Sequence, residues 1–332
     1  MTRQWRHQLS CVELCAGAGG SALGLEMAGF GHVALVEIER DACDTLAANR
    51  PEWNVIAGDI RQINGREYRG VDLISAGVPC PPFSVAGKQL GPDDERDLFP
   101  DTLRIIEEAR PNAVLIENVP GFASNKFADY RNRVVNRLHR MGYHVEWTVL
   151  QSSDYGVPQL RPRFVLVGIR TRRALLFRWP AALGSAPTVG AVLRDLMGER
   201  EWPGVELWAE FANDIAPTIV GGSKKHGGPD LGPTRAKEKW AKLHVDGMGI
   251  ADTAPGPEFP LYGKPRLTVR MVARIQGFPD TWVFRGGKTS TYRQVGNAFP
   301  PPVARAVGLA VSTCLVGDDL ATQLAVGGAL VD

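Results

Sequence analysis

Apolar and polar positions alternate along the first half of the chain in two registers, one of strand type and one of helix type. Cys11–Cys15 is a short apolar strand, broken by Gly17–Gly20 and followed by a helical Ser21–Ala28. His32–Val36 is β-rich and Asp41–Asn49 helical. Val71–Ala76 and Ala113–Ile116 are continuous apolar runs, the pattern of strands buried on both faces. Leu98–Arg110 between them has helical spacing, Asn125–Met141 reads as a basic amphipathic helix, and Val145–Leu150 and Phe164–Gly168 read as strands. Strands alternating with helices predict an α/β fold, a doubly wound and mostly parallel sheet that binds ligands at the carboxyl ends of its strands.

The patterning weakens after about Arg173. Residues 180–267 are rich in Gly, Pro and charge, and predict a smaller irregular domain. Regularity returns at Val269–Ile275 and in a closing helix, Val303–Leu315. The chain has 332 residues, 44% hydrophobic and 22% charged, enough for a sizeable core. Its 37 Gly and 24 Pro follow no period, which excludes a collagen-like chain. No apolar run reaches the roughly 18–20 residues of a membrane span. The start, Met1–Ser10, leads into no apolar core of the kind a signal peptide carries. Five Cys without a C-x-x-C pair argue against a disulfide framework or a zinc site, so a reduced, cytoplasmic, metal-free protein is expected. Net charge is only +2, but Lys224, Lys225, Arg235, Lys237, Lys239 and Lys242 face just Asp230 and Glu238 over 221–245. That stretch is either a solvated face or a meeting place for phosphates.

Candidate chemistry gathers at the predicted strand ends. The turn Cys15-Ala16-Gly17-Ala18-Gly19-Gly20 lets backbone approach a ligand and presents the free N–H groups of a helix start. It lacks the G-x-G-x-x-G spacing, because Ala22 stands at the last position. Glu37, ending the next strand, is placed to accept hydrogen bonds from two ribose hydroxyls, and Asp59 follows the third strand, where it could reach an adenine amine. Cys80, in Gly-Val-Pro-Cys-Pro-Pro-Phe-Ser84, follows the strand ending at Ala76. Flanking prolines hold its thiol in one direction, which suits a nucleophile acting as thiolate. Glu117 closes the Ala113–Ile116 strand, as a proton donor or as a cap on the next turn. Arg161 and Arg163, two apart on extended chain, point the same way toward a phosphate, a carbonyl oxygen or a surface carboxylate.

In this order the motifs closely resemble those of the DNA (cytosine-5) methyltransferases, over most of the chain outside about 180–265. ELCAGAGG resembles the cofactor loop, VEIE the ribose acid, GDI the adenine contact, GVPCPPFS the nucleophile loop, ENVPGF the glutamate motif and QLRPR the arginine motif. RLTVRMVARIQGFPD and QVGNAFPPPVARAV resemble the last two blocks. The resemblance implies a class I S-adenosylmethionine-dependent methyltransferase fold. Its parts would be a catalytic and cofactor-binding domain over 1–179, a target-recognition domain over 180–267, and a return segment over 268–332.

It further implies that Cys80 adds to C6 of a flipped-out cytosine, that Glu117 binds N3 and the exocyclic amine, that Arg163 binds O2, and that Arg161 supports the site or the backbone. The cofactor would lie along Cys15–Gly20, with Glu37 on its ribose, Ile38, Asp59 and Ile60 about its adenine, Pro79 and Leu98 bordering its methionine part, and Asn297 and Ala298 closing the pocket. Ser84, Lys224, Lys225, His226 and Arg235 would meet double-stranded DNA. No metal is implied. S-adenosylhomocysteine would be the product. The expected role is that of a monomeric bacterial modification enzyme, sharing its site with a restriction endonuclease that it does not touch. Two departures stand out. Cys15 replaces an aromatic that stacks on adenine in many members, and Pro81 replaces a polar residue.

Three other readings are weighed against the same residues. The RNA-methylating branch would share Cys80, Glu117 and Arg163, but it carries a Cys-Phe-Thr signature, and residues 171–285 contain no Cys. A silent DNA-binding relative would not need the intact trio. A Rossmann oxidoreductase would need the missing phosphate fingerprint and a hydride-site His.

Overall fold

The computed structural model describes residues 9–79, 97–170, 172–221 and 229–317. The chain divides into two compact units, one of Met1–Leu150, Pro162–Ala181 and Val303–Asp332, the other of Gln151–Arg161 and Ala182–Pro302. Residues 151–161 and 268–302 cluster with the second unit, and the chain rejoins the first at Val303.

The first unit begins with β1 (Leu9–Leu14), α1 (Gly20–Met27), β2 (Phe30–Glu37), α2 (Arg40–Asn49), β3 (Val55–Ala57) and β4 (Leu73–Gly77). It continues with α3 (Phe99–Ala109), β5 (Ala113–Asn118), α4 (Ala128–Arg140) and β6 (His144–Gln151). After β7 (Gln159–Leu160), which belongs to the second unit, β8 (Pro162–Ile169) completes a seven-stranded sheet. The strand order is β3-β2-β1-β4-β5-β8-β6. Pairs β1–β2, β2–β3, β1–β4 and β4–β5 are parallel, and β5–β8 is antiparallel.

Order reverses between β1 and β4, the point at which such sheets open a ligand crevice. Register brings the chemistry-bearing ends together: Leu14 pairs with Val36 and Ala76, Glu37 with Ala57, and Gly77 with Glu117. The core beneath is Val12, Leu14, Ile74, Val114, Ile116, Leu103, Ile106 and Phe164, all buried. Each such side chain contributes about 1.5–3 kcal/mol by leaving water, which is why the central strands are mostly apolar. The closing helix α10 (Pro301–Val316) packs on α1 so closely that a Cβ at Gly308 would fall 2.8 Å from that of Ala28.

The second unit is more regular than its composition predicts. It contains α5 (Val189–Gly198), α6 (Val205–Phe211), β9 (Ala216–Pro217), which pairs with β7, α7 (Thr234–Lys242), α8 (Val269–Ile275) and α9 (Lys288–Asn297). Fully buried Trp202, Trp208 and Trp240 join buried Leu, Ile and Val such as Leu193, Leu231, Val245 and Ile275 in its core. The stretch Lys288–Val316 is long and apolar enough to cross a membrane by composition. It is instead two helices broken at Ala298–Pro300, and 56% of its apolar window is buried.

Candidate active site

The turn after β1 is built from alternating left-handed residues. Cys15 (φ 55°), Gly17 (φ 57°) and Gly19 (φ 89°) turn the backbone, and Gly19 caps α1. A side chain at Gly17 would meet nothing within 4 Å, so the loop borders open space that only backbone faces. Glu37 anchors this loop. Its carboxylate accepts from Gly17 N at 2.7 Å, Ile38 N at 2.9 Å and Glu39 N at 2.8 Å. Burial pushes its pKa up and the three N–H groups oppose that shift. A carboxylate offers about four lone-pair sites, so acceptor capacity remains for hydroxyls of a ligand.

Around this loop the other expected cofactor residues fall as follows. Ile38 is 64% exposed at the end of β2, an apolar face without a protein cover. Ile60 is buried, and Asp59 accepts from Arg61 N at 2.9 Å and Arg61 Nη1 at 3.3 Å. Gly77 lies so near the turn that a Cβ would be 3.2 Å from the Cys15 carbonyl. Pro79 is half-buried, and Leu98 packs against the core as the residue before α3. Asn297 is exposed at the end of α9, in the second unit.

At the next strand end, Arg163 Nε lies 2.9 Å from Glu117 Oε1, with both side chains largely buried. Arg163 also donates to the Pro162 carbonyl at 2.9 Å. Asn118, fully buried, donates to the Val78 carbonyl at 3.2 Å and accepts from Val119 N at 2.9 Å. This ties the end of β5 to the backbone two residues before Cys80. Aromatic packing stiffens the same corner: Phe122 lies 4.9 Å from both Phe99 and Phe164. Arg131 donates to the Phe122 carbonyl at 2.7 Å, holding the turn that follows Glu117. Asp97, where the described chain resumes, accepts from Phe99 N at 3.0 Å and from the Tyr130 hydroxyl.

Cys80 and Ser84 lie outside the described residues, as do Lys224, Lys225 and His226. Arg235 is exposed on α7. Among the described residues no group of three or more His, Cys, Asp or Glu could hold a metal ion. Cys11, Cys15, Cys43 and Cys314 form no disulfide among the described residues. Burial raises the pKa of Cys11 and Cys15 well above the ordinary thiol value, and that of Cys43 to about 11, with nearby carboxylates adding to each shift.

Arg161 stands between the end of β7 and the start of β8. Arg161 is fully buried, donating to the carbonyls of Ile219 and Gly296 at 2.6 Å and of Ala298 at 3.1 Å. Those bonds make it a brace for backbone.

Glu13 was not singled out from sequence, although an acid inside the apolar run CVELC is a usable signal. It is 1% exposed on β1, facing Ser21 and Ser75, and burial pushes its pKa from the ordinary 4.5 up to about 7. The folded state therefore holds the proton more tightly than the unfolded chain. Stability is fullest below about pH 4.5 and declines as pH rises toward 7. Glu13→Gln removes that decline. Its advantage in Tm over wild type is expected to grow between pH 5 and pH 8, by up to about 3 kcal/mol of stability. Thermal unfolding at both pH values checks this, and a constant difference refutes it.

The profile of the C-5 cytosine-specific DNA methylase family matches residues 9–313. The fold and site thus define an enzyme of this class: a methyltransferase with a class I sheet. The chain belongs to the C-5 cytosine-specific DNA methylases. It is 56% identical over 311 residues to the Type II methyltransferase M.NaeI of Lentzea aerocolonigenes, covering 92% of this chain and 75% of that one. It is 51% identical over 305 residues to the Type II methyltransferase M.NgoMIV of Neisseria gonorrhoeae, covering 91% and 96%. Among solved structures, an E. coli prophage-encoded chain assigned as a DNA modification methyltransferase matches with a TM-score of 0.65 at 25% identity, over 92% of this chain and 99% of that one. The Dnmt2 methyltransferase of S. pombe matches in fold with a TM-score of 0.64 at 17% identity, over 93% and 100%.

Proposed function

We propose that the chain transfers a methyl group from S-adenosylmethionine to C5 of a flipped-out cytosine within a specific double-stranded DNA sequence, through a transient bond between Cys80 and C6. The observation that carries this reading is the Glu117–Arg163 ion pair, held at a strand end whose neighbour runs directly into Val78, Pro79 and Cys80. A thiolate adding to C6 pushes electron density onto C5, O2 and N3. Glu117 accepts hydrogen bonds from the exocyclic amine and the protonated N3, and the Arg163 guanidinium faces O2, so both offset charge as it develops. Loss of the C5 proton then expels Cys80. The four described thiols are buried or raised in pKa, which makes them poor nucleophiles. A duplex hides C5 and C6, so the base must leave the stack, a general property of enzymes that act on bases.

The Gly17 cradle, the part-occupied Glu37 carboxylate and the uncovered Ile38 fit an adenosine-bearing cofactor. When bound, S-adenosylmethionine supplies an activated methyl group on a sulfonium. Cys15–Gly20, Glu37, Ile38, Asp59, Ile60, Pro79, Leu98, Asn297 and Ala298 would hold it. Glu37→Ala is expected to weaken cofactor binding at least about tenfold, the scale of a hydrogen bond to a charged group. Calorimetry checks this, and an unchanged affinity removes Glu37 from that role.

Residues 180–267 act as the target-recognition domain, with Arg235, Lys224, Lys225 and His226 on phosphates and Ser84 at the nucleophile loop. The names of the relatives, Type II methyltransferases, support a modification enzyme of a bacterial restriction-modification system; in this reading it is a cytoplasmic monomer that protects the site of an endonuclease it does not touch. The test is methyl transfer from labelled cofactor to unmethylated duplex DNA, followed by bisulfite sequencing. Protection of cytosines in one sequence context is expected. Label on RNA alone favours the RNA branch, and cofactor binding without transfer to either favours a silent relative.

A further inference from the structure

Glu13 lies on β1, two residues before Cys15 opens the turn, and is 1% exposed. Neither oxygen of its carboxylate completes a hydrogen bond. An acid so placed resists ionisation, and no step of the proposed chemistry uses it. Its surroundings come from three elements. The register partner on β2 is the apolar Leu35, and on β4 it is Ser75. From the first turn of α1 comes Ser21. The two hydroxyls stand 3.2 Å apart, and both act on the carboxylate. Glu13 and Ser21 therefore bracket the Cys15–Gly20 turn, which leaves β1 just after the carboxylate and comes back beside it at α1.

Among the described residues Glu13 has no cationic partner. Its titratable neighbour on β1, Cys11, is a thiol that burial and Glu13 itself keep protonated. The helix α10, packed on α1, has one charged side chain, Arg305, and that one is exposed. The hydroxyls favour the ionised carboxylate, burial opposes it more strongly, and the pKa stands at about 7. Glu13 thus changes charge in the neutral range. Gly17 is four residues further along the chain, so the turn lies within about 14 Å of it even at full extension. Over such a distance two unit charges at an effective dielectric of about 20 shift an equilibrium by about threefold to tenfold.

We propose that Glu13 makes the turn prefer the methyl donor over the spent product: its carboxylate, buried at the base of Cys15–Gly20 without a cation of its own, attracts a positively charged ligand and not a neutral one. The proposal rests on the reading of this turn as the cofactor cradle. S-adenosylmethionine is a sulfonium and carries one positive charge more than S-adenosylhomocysteine, from which it otherwise differs by a methyl group. Glu37, Ile38 and the backbone of the turn meet parts that the two molecules share. A negative charge nearby acts on the difference. Linkage makes the effect reciprocal, so the donor favours ionised Glu13 and the product does not. Loss of the methyl group then weakens the hold on the molecule that must leave.

The test is calorimetric binding of S-adenosylmethionine and S-adenosylhomocysteine, without DNA, to wild type, Glu13→Gln and Ser75→Ala at pH 6 and pH 8. In wild type the preference for donor over product is expected to rise about threefold to tenfold between the two pH values, as the carboxylate ionises. Glu13→Gln is neutral throughout and should keep the lower preference at both. Ser75→Ala removes a hydroxyl that favours the ionised form, so its rise should move to higher pH and be smaller at pH 8. It keeps the test decisive if Glu13→Gln fails to fold. Titration of Glu37, whose pKa burial also raises, is common to all three proteins and cancels in the comparison. A Glu13 that only stabilises the fold would weaken both ligands alike, and that result overturns the proposal, as does a wild-type preference that ignores pH. A wild type that binds neither ligand brings down the cofactor reading itself, whereas one that binds both with the preference of Glu13→Gln brings down only the selection.

Discussion

Cys80→Ser is expected to reduce methyl transfer at least about 10⁴-fold, the scale on which removing a nucleophile acts in enzymes that work through a covalent intermediate. Cytosine C5 is a weak nucleophile until C6 has been attacked, so there is no alternative route for the reaction. A serine hydroxyl at neutral pH is almost wholly protonated, while a thiol ionises within reach of it. The substitution changes one atom of one side chain, so cofactor and DNA affinities should remain near wild type. A duplex carrying 5-fluorocytosine in the methylated context separates chemistry from binding. Fluorine cannot leave as the C5 proton does, so wild type should accumulate a covalent complex stable to denaturation, and Cys80→Ser should not. Equal labelling by the two proteins, or an adduct that maps to another cysteine, would show the nucleophile to be elsewhere.

The central strands were legible in sequence because burial on both faces leaves continuous apolar runs, as in β1, β4 and β5. The Gly-rich turn and Glu37 were legible because a left-handed backbone and a strand-end carboxylate both leave a mark in residue type. What periodicity could not reveal lies in long-range polar contacts. Val71 and Asp72 read as strand, yet β4 starts at Leu73, since the Asp72 carboxylate is engaged by Ser10 N at 2.9 Å across 62 residues. Arg161 and Arg163 read as one face because spacing of two assumes a single strand, whereas Arg161 follows β7 and Pro162 begins β8. The second unit read as irregular because the helices described between 180 and 267 are short and separated by Gly- and Pro-rich connections, so no apolar stripe repeats for long. Asn118 stood inside a recognised motif, but its bond to Val78 depends on the parallel register of β4 and β5, which no local pattern encodes.

Glu117→Gln is expected to lower kcat by about 10²–10⁴-fold, the range for losing a group that handles protons and charge at the reacting centre. The amide keeps the size of the carboxylate and can still accept from the cytosine amine, so DNA binding should suffer little. It cannot neutralise a ring that acquires positive charge at N3, and that difference falls on the transition state. Structure adds a second consequence. Arg163 keeps its bond to the Pro162 carbonyl but loses its 2.9 Å carboxylate partner while remaining 8% exposed. Leaving a buried cation unpaired costs about 3–5 kcal/mol, so Tm should fall as well. The two effects are separable. Glu117→Gln with Arg163→Gln removes both charges and should recover much of the stability, yet recover none of the activity, because O2 then lacks its guanidinium too. Cofactor affinity, set by Glu37 and the Gly17 turn at other strand ends, should be the same in all three proteins. If kcat of Glu117→Gln stays within about threefold of wild type, or if the double variant regains activity along with stability, the ion pair is a structural crosslink and the chemistry has been assigned to the wrong carboxylate.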